Sequence, residues 1–500
     1  MFWMGRSVCQ RWLNSMKYMN LTIEQLHQLI LDNKVTPLEL VKESLELAQN
    51  DQHNAFEYIC IKEAIDNVNK LDPSKKNNLL YGIPFVLKDN FSTKGIPTTA
   101  SCNILNGYIP SFSSEVSNKL EEQGAILIGK TTMDELAMGG RGTNGHLGIT
   151  YNPWDKSKTR LVGGSSSGSA AATAAGIVPF AIGSDTGDSA RKPASYSALV
   201  GFKPTWGRIS RFGLFEFACS LDHVGYFTRN VKDSAILLNA LAGRDDKDFS
   251  SSYKPVEDYL AKINEPIKGK RIAVIKEILD SISDKNVIDT FSKNVDALKN
   301  SGVIIDYVNI DIKLLKAIYP TYIIISCAEA TSNYASLDGV NFGQRKEGKT
   351  FEEVLTKSRT EGISIVAKRR LVIGGYSLLK ENADELFIRA QKCRRLIVDT
   401  FNKIFEKYDA IYVPAAPSIA PRIDETHDGL SDQYLIADNY MAFANMGGYP
   451  SITLPIGFEE GMPFGACLTC KPFEESKLFN IAQEIENISG LANIIAGEDK

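Results

Sequence analysis

The chain predicts an α/β fold built on a mostly mixed β-sheet. Short apolar runs of strand length alternate with longer amphipathic runs of helix length. The 500 residues, 43% hydrophobic and 23% charged, are ample for a sizeable core. No internal repeat appears, and no uninterrupted apolar run reaches the ~18 residues a membrane helix needs.

The first twenty residues differ from the rest. They carry Arg6, Arg11 and Lys17 among Trp3, Val8, Trp12 and Leu13, and no acidic residue precedes Glu24. A basic, acid-free, amphipathic start resembles a mitochondrial transit peptide, which would place the protein in the matrix. The alternative is an ordinary terminus on a cytoplasmic protein, with Met16 or Met19 as its start. Residues 21–490 are expected to form one domain, with an insertion or subdomain boundary near 244–269, a charged, serine-rich stretch holding Pro255 and Pro266.

Thr22 with Gln25, and Thr36 with Glu39 after Pro37, read as capping boxes opening two helices. A strand is expected at 58–61 and a helix at 62–70. A strand over 82–87 delivers Lys88 to its C-terminal end. Helix 115–123, strand 125–128 and helix 131–138 follow. Residues 170–176 are small helix formers and 177–182 read as a buried strand. Beyond them, 201–214 reads as loop and 231–243 as a helix. Further strands are expected at 271–276, 303–308, 409–413, 451–455 and 465–470, with a long helix over 383–407.

The chain is organised around residues 162–194, where two clusters of glycine and serine flank the helix and strand just named. Glycine lets backbone N–H groups approach a ligand, and serine supplies a nucleophile and a proton relay. Ser189, in the second cluster, is the nucleophile this pattern suggests.

Several short motifs mislead. Residues 124–131 match a phosphate-binding pattern letter for letter, yet the four variable positions, Ala125 to Ile128, themselves read as strand. Gly164 to Gly168 match a hydrolase nucleophile elbow, but a polar segment, not a strand, precedes them, and only His223 and His427 lie downstream. Cys467 and Cys470 have redox spacing within a strand, where they point to opposite faces. A net charge of −4 offers no global field for nucleic acid. Eight cysteines in so long a chain favour a reducing compartment. Lys88, at the end of an apolar strand, is either a base made neutral by burial or a snorkelling or ion-paired side chain, with Asp89 a candidate partner.

Residues 163–194 resemble the amidase signature family, and the resemblance extends over nearly the whole chain. It implies an amidase-signature-type layered fold, a central mixed sheet covered by helices on both faces. It implies a Ser-Ser-Lys triad of Lys88, Ser165 and Ser189, with a cis peptide at Gly164–Ser165. It also implies an oxyanion hole from the backbone of Thr186, Gly187, Asp188 and Ser189.

Within that family the stretches 88–99, 131–139, 201–214 and 368–376 are most similar to the glutaminase (A-type) subunits of glutamyl-tRNA(Gln) amidotransferases. The expected reaction is then glutamine hydrolysis to glutamate and ammonia. Arg370 (or Arg369) would hold the glutamine α-carboxylate and Asp438 its α-ammonium. No metal or cofactor is expected in this chain. ATP and Mg would belong to a tRNA-binding partner, the B-type subunit, joined by a small third subunit, and tRNA would be met mainly through those partners. A free-standing amidase for small amides and a catalytically silent scaffold are the alternatives. Ser167 and Asp188 stand where the family has glycine. Asp188 is expected to turn outward, away from a developing oxyanion.

Overall fold

The computed structural model describes residues 16–426 and 428–497, so the first fifteen residues, where most of the suspected targeting segment falls, His427 and the last three residues lie outside it. One sheet of eleven strands forms its centre. In chain order the strands are β1 (Phe56–Ile59), β2 (Pro84–Lys88), β3 (Ile126–Thr131), β4 (Phe180–Asp185), β5 (Val200–Lys203), β6 (His223–Thr228), β7 (Arg271–Ile275), β8 (Ile304–Val308), β9 (Ala410–Pro414), β10 (Ser451–Glu459) and β11 (Met462–Cys470). Their spatial order is β1-β3-β2-β4-β6-β5-β10-β11-β9-β7-β8. Parallel pairing joins β2 to β3 and β4, and β7 to β8 and β9. Antiparallel pairs fill the middle, so the sheet is mixed.

Two cores lie on opposite faces, as strand alternation requires. In β9, Ala410 and Tyr412 belong to one core, Ile411 and Val413 to the other. Cys467 and Cys470 divide in the same way, so they do not form a paired site. Helices Ser167–Ala174, Val231–Leu241, Lys285–Asn300 and Glu475–Ser489 contribute to the first core. Helices Ile312–Asn333, Ile365–Leu378 and Arg389–Phe405 contribute to the second. Among the described residues no helix is long and apolar enough to cross a membrane.

Both capping boxes form, at Thr22 before helix Ile23–Leu31 and at Thr36 before Pro37–Gln49. Met19 is fully buried, and the N–H groups of Lys17, Tyr18 and Met19 all donate to Glu43. Residues 16–20 are thus fastened to the domain. Within 244–269, Tyr259, Ile263 and Ile267 enter the first core, and Arg208 donates to the carbonyls of Lys254 and Pro255.

The structure corrects several expected elements. The helix expected at 131–138 is absent. β3 runs through Thr131, and only a 3-10 turn, Glu135–Ala137, follows, with Leu136 and Ala137 at positive φ. Residues 201–214 are not all loop, because β5 lies there, and β6 occupies a stretch with no expected strand. The strand expected at 177–182 begins three residues later, at Phe180. The long helix expected at 383–407 is α-helical only from Arg389 to Phe405, after a π turn. Gly129 and Lys130 of the phosphate-loop look-alike sit inside β3, where no loop exists to cup a phosphate.

Candidate active site

β2 and β4 are adjacent parallel strands, so their C-terminal ends emerge side by side. β2 ends at Lys88, and β4 ends at Asp185 and leads into the loop 186–190. Helix Ser167–Ala174 packs beneath them and starts at the first serine cluster. Gly164 is required there, since a Cβ would fall 2.1 Å from an oxygen of the buried Asp134 carboxylate. The peptide Gly164–Ser165 is cis.

Lys88 is fully buried. Its Nζ lies 2.8 Å from Ser165 Oγ, 2.9 Å from Ser166 Oγ and 2.9 Å from Ser184 Oγ. Burial lowers its pKa to about 7, against the raising influence of the more distant Asp134, Asp185 and Asp222 carboxylates. The ion pair with Asp89 does not form. Asp89 pairs with Lys130 at 3.1 Å and accepts from Thr99.

The three hydroxyls are not equivalent. Ser166 Oγ donates to the Ser184 carbonyl, so toward Lys88 it accepts. Ser184 Oγ accepts from Asn90 Nδ2 at 3.0 Å as well as from Lys88. Ser165 Oγ has Lys88 as its only hydrogen-bond partner among the described residues. A neutral amine keeps two N–H donors and one lone pair. Ser166, whose proton is committed, takes one donor, and Ser165 and Ser184 share the other donor and the lone pair between them.

Ser189 is buried on the loop after β4. Its carbonyl accepts from the Ser166 N–H at 3.3 Å, which ties the two serine clusters together. The Ser189 and Ser165 hydroxyls are not hydrogen-bonded to each other among the described residues. A buried ion pair shapes the loop: Arg191 lies 2.9 Å from Asp185 and also donates to the Gly187 carbonyl. Asp185 accepts from the Ala190 and Arg191 N–H groups, and Asn445 donates to it. Burial would raise the Asp185 carboxyl, but Arg191 holds it well below the usual range. With the loop so fixed, the N–H groups of Thr186, Gly187, Asp188 and Ser189 find no acceptor in the protein among the described residues.

A cavity of about 420 Å³ reaches this loop at Asp188 and is lined in part by Asp134, Asp188, Lys192, Tyr322, Arg370 and Asp438; Lys88, Ser165 and Ser189 lie behind its lining. Arg370 Nη1 is buried and has no hydrogen-bond partner among the described residues. Its guanidinium sits near Tyr322 and 5.7 Å above the Phe217 ring. Arg369, the neighbouring candidate, is exposed and does not line the cavity. Asp438 lines the same cavity and is engaged by Lys192 at 2.9 Å.

Asp188 does not turn outward as expected. It lines the cavity and pairs with Lys192 at 2.9 Å. Its φ is not positive, so the loop does not demand glycine there. Ser167 Oγ is 3.0 Å from Thr150 Oγ1, away from Lys88. His223 is buried behind the loop, with Nδ1 2.7 Å from the Leu221 carbonyl, and does not reach the cavity. Sequence reasoning missed Ser166, Ser184 and Lys192. The spacing of Asp188 and Lys192, four apart at a helix start, was a usable signal for the last. No group of three or more His, Cys, Asp or Glu among the described residues could hold a metal ion.

Comparison with known proteins agrees with this geometry. The family model described as Amidase matches residues 39–479. The A-type subunit of glutamyl-tRNA(Gln) amidotransferase from Pediococcus pentosaceus is 40% identical over 478 residues, covering 94% of this chain and 97% of that protein. The crystal structure of the corresponding Thermotoga maritima amidotransferase chain superposes with a TM-score of 0.79 at 34% identity, covering 97% of this chain and 99% of that one. The peptide amidase of Stenotrophomonas maltophilia, 24% identical over 96% of this chain and 99% of its own, shares the fold with a TM-score of 0.78. A hydroxyl-cradled buried lysine beside a glycine- and serine-rich loop, on this sheet and with these relatives, identifies the chain as a member of the amidase family.

Proposed function

We propose that this chain hydrolyses glutamine to glutamate and ammonia as the glutaminase (A-type) subunit of a glutamyl-tRNA(Gln) amidotransferase. The ammonia passes to a tRNA-binding B-type partner, which amidates tRNA-bound glutamate using ATP and Mg, and a small third subunit completes the complex. The relatives' names support this reading. The observation that carries the chemistry is Lys88, buried and held by three hydroxyls, with no carboxylate paired to it among the described residues.

In the proposed mechanism neutral Lys88 takes the Ser165 proton while Ser165 takes that of Ser189. Ser189 Oγ attacks the side-chain carboxamide carbon. The N–H groups of Thr186 to Ser189 receive the developing oxyanion, each donor being worth about 3 kcal/mol in such a site. Collapse expels ammonia with the proton returned through Ser165, and water then hydrolyses the acyl-enzyme. The unpartnered face of Arg370 suits the α-carboxylate, and Asp438 suits the α-ammonium. The acid-free first twenty residues support placement in the mitochondrial matrix. Import of a fluorescent fusion carrying them tests that placement.

The test of function is glutaminase activity of the purified complex. It should disappear in Ser189→Ala while the complex stays assembled. Full activity in that variant would refute the nucleophile.

A further inference from the structure

Three ionised side chains meet at the mouth of the site. Lys192 Nζ is 2.9 Å from Asp188 Oδ2 and 2.9 Å from Asp438 Oδ1, and it also donates to the Asp438 carbonyl. All three of its N–H donors are thereby used. Asp438 Oδ2 accepts no hydrogen bond among the described residues, and Asp438 lines the cavity. Burial works against the Lys192 charge, but Asp188 and then Asp438 outweigh it and raise its pKa well above the usual value.

We propose that Lys192 is a positioning residue. Its ammonium cancels the Asp188 carboxylate beside the nucleophile and leaves one oxygen of Asp438 for the substrate's ammonium. The inference rests on the glutaminase reading for the substrate group, but not for the nucleophile.

The charge arithmetic motivates it. Asp188 is one peptide from Ser189, and its N–H belongs to the loop that receives the oxyanion. An unneutralised carboxylate there opposes negative charge developing on the substrate. With Lys192 in place, the trio carries one net negative charge, which one substrate ammonium balances. Arg370 lines the same cavity. The second carboxylate is tolerable only because the lysine one helical turn later folds back onto it.

The test uses the purified complex and two readouts. One is steady-state glutamine hydrolysis. The other is the rate at which a fluorophosphonate labels Ser189, which builds negative charge in the same loop without glutamine. Lys192→Gln is expected to lower both kcat and the labelling rate by about tenfold or more. Adding Asp188→Gly to it should return both to within about threefold of the parent, a coupling that a purely structural lysine does not produce. Asp188→Asn alone should raise KM by about tenfold, because the freed lysine then neutralises Asp438. Lys192→Arg, which keeps the charge, should label at a rate near the parent's and covers the case in which Lys192→Gln does not fold.

A harmless Lys192→Gln, or a double variant no better than that single variant, overturns the proposal. So does loss of labelling in Lys192→Arg equal to that in Lys192→Gln. If the unaltered complex does not hydrolyse glutamine, the glutaminase reading falls, and the labelling rates still decide the role of Lys192.

Discussion

The chemistry depends on Lys88 shedding its proton near neutral pH, and Asn90 offers a way to reverse that. Asn90 Nδ2 donates to Ser184 Oγ at 3.0 Å, and Lys88 Nζ lies 2.9 Å from the same oxygen. Asn90→Asp, nearly isosteric, therefore puts a carboxylate within about 6 Å of the ammonium. At an effective dielectric of about 20 this attraction is about 3 kcal/mol, or roughly two pH units. The charged form of Lys88 gains, so the pKa moves from about 7 upward, toward about 9. Activity needs the neutral amine, so kcat/KM of the parent rises with pH through about 7 and levels off above it. In the variant the neutral fraction at pH 7.5 falls from about three quarters to about 3%, roughly a 25-fold loss, most of it recovered at pH 9.5. The assay is a pH series of glutamine hydrolysis by the complex from pH 5.5 to 9.5, with assembly checked at each end. An unmoved midpoint in Asn90→Asp, or a parent midpoint near that of a solvated lysine, would refute the claim that burial tunes this base.

Two further outcomes follow from the cavity and the loop. Arg370→Gln should raise KM for glutamine about 30- to 100-fold with little change in kcat, since a paired guanidinium contributes mainly to binding, and leave hydrolysis of a simple amide lacking a carboxylate unchanged; an unchanged KM would show that Arg370 does not meet the substrate. Arg191→Met should destabilise the chain by about 3–5 kcal/mol, because Asp185 is left buried and unpaired, and Asp185→Asn in the same chain should recover much of that in a thermal melt; a melting temperature equal to the parent's would contradict the role given to this pair.

The parts of the fold legible in the sequence were those whose local and tertiary demands coincide. Thr22 and Thr36 cap helices because capping is a local interaction. β2 is apolar from Phe85 to Leu87 because both of its faces are covered, and that made Lys88 conspicuous. Elements whose residues answer to distant neighbours were misread. β5 and β6 look like loop because Gly201 and Gly225 have no side chain. A Cβ at Gly201 would lie 2.4 Å from the Ala194 Cβ on the helix above. The 131–138 segment has helical composition. Yet Asp134 accepts the N–H groups of Arg141, Gly142, Thr143 and Asn144, and the chain bends around that carboxylate. Lys192 was overlooked despite its spacing from Asp188, because the helix it stands in, Arg191–Tyr196, is only six residues long and contains Pro193.

The sharpest contrast in the molecule is between two buried lysines on neighbouring strands. Lys88 ends β2, and Lys130 lies beside it on β3, where Leu87 is its register partner. Lys130 is held by Asp89 at 3.1 Å, the Phe91 carbonyl and the Thr98 hydroxyl, so it fastens the strand end to the loop that follows β2. Lys88 has three hydroxyls in place of a carboxylate. A carboxylate stabilises the ammonium specifically, whereas hydroxyls accept from an amine in either state and can also donate to it. The sequence marks the two residues alike, each a lysine at the end of an apolar run. The side chains arriving from other segments decide which is structural and which can exchange a proton. For Lys88 those arrivals come from the two serine clusters alone, and of the three hydroxyls only Ser166 has its proton committed to another acceptor, the Ser184 carbonyl. The route of the exchanged proton is therefore determined by the groups around these hydroxyls as much as by the lysine itself.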